Sequence, residues 1–84
     1  MHAVGWAART VNSRWSRYAF YFEPRGVPGD ARVTFELADG SRVEYPLPIQ
    51  GTLVDPNRLA PAKWFLVPCV GPPHEQVKTI TFAQ

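Results

Sequence analysis

Cys69 and His74, a thiol and an imidazole separated by a proline-rich stretch, are the first pair whose types suit covalent chemistry. A cysteine nucleophile needs a base beside it to make the thiolate. Gly71-Pro72-Pro73 lies between the two, and no local signature of a cysteine enzyme surrounds either. Free cysteine is among the most buried residue types, so a packed thiol is the expected role of Cys69. Adding His2 gives three metal-capable side chains, but their spacing matches no recognised ligand pattern, and no metal or other cofactor is expected. Glu36 and Glu44 flank Arg42, which charge pairing explains better than acid–base work. Asp55, before Pro56, reads as a helix cap. Gly26 and Gly29 stand among prolines ahead of a strand, without the helix N-terminus that a phosphate loop requires. The chain is expected to be a non-enzyme.

Chemistry of recognition is better supplied. Trp6, Trp15, Arg17, Tyr21 and Trp64 are of the types enriched at interface hot spots, where a large rigid surface is covered at low entropic cost. Three partner classes fit. A protein partner, or self-association into an assembly, uses all five residues. A carbohydrate would stack on exposed rings of a β-sandwich. A single-stranded nucleic acid would stack bases on Trp15 and Tyr21 beside Arg17. The last is the weaker match, because lysine is scarce and the chain beyond its first third is slightly acidic. The reading adopted is a protein–protein interaction or assembly module, with carbohydrate and nucleic acid as alternatives.

These residues must be held by strands. Ala31–Leu47 is the clearest hairpin: Val33, Phe35 and Leu37 alternate with polar residues on one arm, and Val43, Tyr45 and Leu47 on the other. A two-residue turn at Asp39-Gly40 would set Phe35 opposite Glu44. A three-residue turn with Gly40 at positive φ instead pairs Phe35 with Val43, Val33 with Tyr45 and Glu36 with Arg42. The second register keeps one face apolar and is the one expected. Arg14–Glu23 is a second strand, with Tyr18, Phe20 and Phe22 toward the core and Trp15, Arg17 and Tyr21 on the other face. Lys63–Val70 is apolar on both faces, as in a strand covered twice, although Pro68 implies an edge or a bulge. Gln76–Ala83 is a further strand, residues 49–54 a short one, and Asp55–Ala60 one helical turn near 56–60.

Residues 1–13 lack a clean period and are expected to be an N-terminal arm with room for a short strand, leaving residues 14–84 as a single β domain. The fold class is all-β: a small antiparallel sandwich or partly open barrel of five to seven strands. In element order alone, with no residue motif, it resembles an OB-type barrel.

Eighty-four residues suffice for one modest core, and one cysteine excludes an internal disulfide. Three tryptophans, three tyrosines and five phenylalanines must therefore carry the stability. The formal charge of +2 is uneven. Residues 1–25 hold four arginines against one glutamate, a net +3, and the remainder five basic against six acidic groups, a net −1. No apolar run is long enough to span a bilayer, and the N-terminus lacks the basic and apolar regions of a signal peptide. A cytoplasmic location without membrane contact is expected.

Overall fold

A computed structural model describes residue 3 and residues 5–23, 31–47, 52–54 and 64–83. Among these, the chain forms seven strands and one 3₁₀ turn. The strands are β1 (Gly5–Thr10), β2 (Ser16–Phe22), β3 (Arg32–Leu37), β4 (Arg42–Pro46), β5 (Thr52–Val54), β6 (Trp64–Gly71) and β7 (Val77–Ala83), with the 3₁₀ turn at His74–Gln76. They make two antiparallel sheets, ordered β1-β2-β6-β5 and β4-β3-β7. The sheets share no strand among the described residues, so the all-β fold is an open sandwich.

The core lies between the sheets and is largely aromatic. Strict alternation along β2 turns Ser16, Tyr18, Phe20 and Phe22 inward, and all four are fully buried. Tyr18 meets Phe35 of the opposite sheet at 4.9 Å between ring centroids. Phe20 and Phe22 each present an edge to Phe82, at 5.0 and 5.1 Å. Each such ring contributes roughly 1.5–3 kcal/mol by burial, with a further increment from edge-to-face geometry. Gly71 closes one end. A Cβ there would stand 2.8 Å from Phe35 Cζ and 3.0 Å from Tyr18 Cε2, so no side chain fits without moving the rings.

The β3–β4 hairpin adopts the expected register, with Phe35 opposite Val43, Val33 opposite Tyr45 and Glu36 opposite Arg42. Gly40 has φ 89°, and the turn is closed by Leu37 N–H to Ser41 O at 2.8 Å and Gly40 N–H to Leu37 O at 3.0 Å. Asp39 accepts both the hydroxyl and the amide of Ser41, which together hold its carboxyl below the usual carboxylate range.

One expectation is sharpened and one corrected. Within the N-terminal segment residues 5–10 form strand β1, paired with β2 from Gly5↔Tyr21 to Thr10↔Ser16. Asn12 makes the return, its Oδ1 accepting the amides of Arg14 at 2.7 Å and Trp15 at 3.2 Å. Residue 13 thus lies in the turn of the β1–β2 hairpin. β6 is not covered on both faces: Val67 and Cys69 are buried, whereas Pro68 and Val70 are exposed. β5 pairs only with Trp64–Leu66, so Pro68 lies where β6 has one described neighbour, in accord with its missing donor.

The helical turn expected near 56–60 lies outside the described residues. The described 3₁₀ turn instead follows Pro72-Pro73, and Gln76 N–H closes it on Pro73 O at 3.0 Å. No helix among the described residues is long and apolar enough to cross a membrane.

Candidate docking face

The residues singled out for recognition fall into place once strand register is known. Odd-numbered residues of β1 and β2 and even-numbered residues of β6 share the outer face of the four-stranded sheet. On it Tyr21 lies opposite Leu66 and touches Trp64, ring centroids 5.8 Å apart at 61°. Ala19 lies between Ala7 and Pro68, and Arg17 between Arg9 and Val70. The small side chains of Ala7 and Ala19 leave a shallow trough of about 300 Å³, bordered by Leu66, Pro68 and the two arginines.

Of the five predicted residues, Tyr21 and Trp64 are in contact, and Arg17 shares their face. Trp15 is half-buried just before β2 begins, at the hairpin turn. Trp6 is on the opposite side of the sheet. It pairs with Phe20, leans on Tyr18 at 6.0 Å between centroids, and is 49% exposed because β1 is an edge. The sequence reading missed Arg9, Leu66, Pro68 and Val70. Arg9 was hidden by alanines on both faces of β1, and the β6 residues by the even apolarity of that strand.

Arg9 and Arg17 are directly opposite one another. Like charges so placed repel, and among the described residues no carboxylate lies within ion-pair distance of either.

Behind the sheet's end is a second constellation, of the types used in acyl transfer. Ser16 Oγ is 2.9 Å from His74 Nδ1, and His74 Nε2 is 3.4 Å from Glu75 Oε1. Ser16 is fully buried, however, and its oxygen already accepts the His74 amide at 3.0 Å. The hydroxyl thus has no approach for a substrate carbonyl. It acts as a clamp, fastening the 3₁₀ turn to β2. Thr10 extends the clamp to β1 by donating to Glu75 Oε1 at 2.9 Å. The Glu75 carboxyl is held below its usual range by its own backbone N–H first and this hydroxyl next. Tyr18 completes the seam by donating to the Pro72 carbonyl, and burial pushes its hydroxyl up to about 12.

Cys69 is buried and donates to the Val70 carbonyl, and burial raises its thiol to about 11. A thiol so desolvated is a poor nucleophile at neutral pH. No group of three or more histidine, cysteine or acidic side chains gathers at metal-binding distance among the described residues. Compared with protein-family models, curated proteins and solved structures, the chain matches none.

Proposed function

We propose that the chain is a small non-catalytic β-domain that serves as a protein–protein interaction or assembly module, docking through the outer face of the β1-β2-β6-β5 sheet. The observation that carries this reading is the apolar character of that face: Tyr21 and Trp64 in contact, Leu66 half-buried, and Pro68 and Val70 exposed beside them. Outward positions of a sandwich sheet are polar as a rule, and covering apolar ones by a partner removes the cost of leaving them in water. The tilt between Tyr21 and Trp64 favours insertion between a partner's side chains over the coplanar stacking that sugars use. Two arginines on this face form a shorter track than single-stranded nucleic acid needs. A single, packed cysteine, Cys69, fits the reducing compartment that goes with this reading, the cytoplasm.

The test is the sedimentation mass of the purified chain at micromolar concentration. Alongside it, capture of partner protein by wild type, Tyr21→Ala and Trp64→Ala is quantified. The expected result is an oligomer, or a captured protein, lost in both variants while circular dichroism is unchanged. A monomer whose captured material is the same for all three proteins overturns the reading.

A further inference from the structure

The sheet edges formed by β1, β4 and β7 are not equally defended. β4 carries Pro46 with exposed Arg42 and Glu44, and β7 carries Lys78 and meets β3 across a register shift at Glu36/Leu37. Proline, charge and irregularity are the usual devices that stop a foreign strand from pairing. β1 has neither proline nor irregularity and a single charge. It runs six residues, GWAART, without proline or bulge, its only charge is Arg9, and no described strand pairs with its outer edge. Its Thr10 end is fixed by Glu75, so the edge is presented ready-made.

We infer that the free edge of β1 accepts an extended segment of a partner protein, with acidic side chains on the Arg9 and Arg17 side and apolar ones on the Trp6 side. The inference rests on the docking role proposed above but uses other residues, those of the edge rather than the Tyr21–Trp64 end. Backbone N–H and C=O groups along an edge can be satisfied by a peptide strand, which a nucleic acid or a sugar cannot supply in register. An added strand alternates its side chains between the two faces. Those on the outer face stand next to Ala7 and Arg9, where a carboxylate relieves the repulsion between Arg9 and Arg17. Those on the inner face cover Trp6, half of which is open to water. A second copy of β1 is a poorer occupant, because its one charge is another arginine.

The experiment titrates the isotope-labelled full chain with two capped octapeptides, one alternating glutamate and valine, the other lysine and valine, and with an eight-residue oligothymidylate. The acidic peptide should shift the amides of Gly5–Thr10 and slow their hydrogen exchange. It should bind about tenfold tighter than the basic one, an advantage that shrinks with added salt. In the double variant Arg9→Glu, Arg17→Glu the preference should invert, a response that mere structural damage does not produce. Equal binding of the two peptides, or none by a folded chain, overturns the inference. So does oligothymidylate binding with the peptides silent, which would reassign the arginines to phosphate. A doubled mass with protected β1 amides and no peptide response would overturn it in favour of a second copy. Tyr21→Ala separates the two proposals: it should leave peptide binding at the edge intact even where it abolishes docking of the face.

Discussion

The outer faces of the two sheets are built from the same kind of strand and treat water in opposite ways. On the three-stranded sheet each charge is answered nearby: Arg32 bonds Glu44 at 3.0 Å, and Glu36 lies 3.4 Å from Arg42 and 3.8 Å from Lys78. Threonines fill the rest, with Thr34 paired to Thr81 and Glu36 to Thr79. On the four-stranded sheet arginine faces arginine, and the central strands show tyrosine, tryptophan, leucine, proline and valine to the outside. One face is finished as a monomer. The other has charges unanswered within the described chain and apolar area uncovered, which is what the proposed docking role calls for.

The comparison is broken most directly by exchanging inside for outside on one strand. Phe20→Ala empties the centre of the sandwich and should cost about 3–5 kcal/mol in urea unfolding. Tyr21→Ala, its outward neighbour, should cost about 1 kcal/mol in the same measurement yet reduce association by about 2 kcal/mol or more. If the two losses of stability are equal, Tyr21 is a core residue and the face is not free.

Gly71→Ala asks whether the two sheets are closed against each other as tightly as the rings imply. With Phe35 Cζ 2.8 Å from the new carbon, a loss of about 1–3 kcal/mol is expected by thermal or chemical denaturation. A neutral result would mean that the Phe35 ring has room to withdraw. Gly40→Ala acts on the finished sheet alone. It places a Cβ at φ 89°, and about 1 kcal/mol or more should be lost without any change in association.

The smallest effect concerns the ion pairs themselves. Glu36→Gln removes the carboxylate shared by Arg42 and Lys78 on an exposed surface, and stability should fall by less than about 1 kcal/mol, most of it gone in high salt. Sharpening comes from the same salt series applied to the other face, where added salt should stabilise the chain slightly by screening Arg9 from Arg17.

These features differ in how far the sequence alone discloses them. The hairpin was legible because its turn chemistry is local: Asp39 and Gly40 fix the loop, and the alternation on either side admits one register. The inward face of β2 was legible for the same reason, since three aromatics repeat at a spacing of two. β1 was not, because Gly5, Ala7 and Ala8 erase the contrast between its faces, and Trp6 was grouped with Tyr21 when pairing with Phe20 sends it the other way. The Arg9–Arg17 opposition depends on cross-strand register, which no window along the chain contains. The link between Ser16 and His74 spans 58 positions and had no local signature at either end.

That link has a consequence for a single proton. Ser16 Oγ accepts the His74 amide and keeps a second lone pair and its own hydrogen for the contact with Nδ1. Either Nδ1 takes the Ser16 hydrogen, with the ring hydrogen on Nε2 toward Glu75 Oε1, or Nδ1 itself donates to Ser16 Oγ. The nitrogen chemical shifts of that ring tell the two arrangements apart, and they become a built-in reporter of whether the 3₁₀ turn is seated on β2.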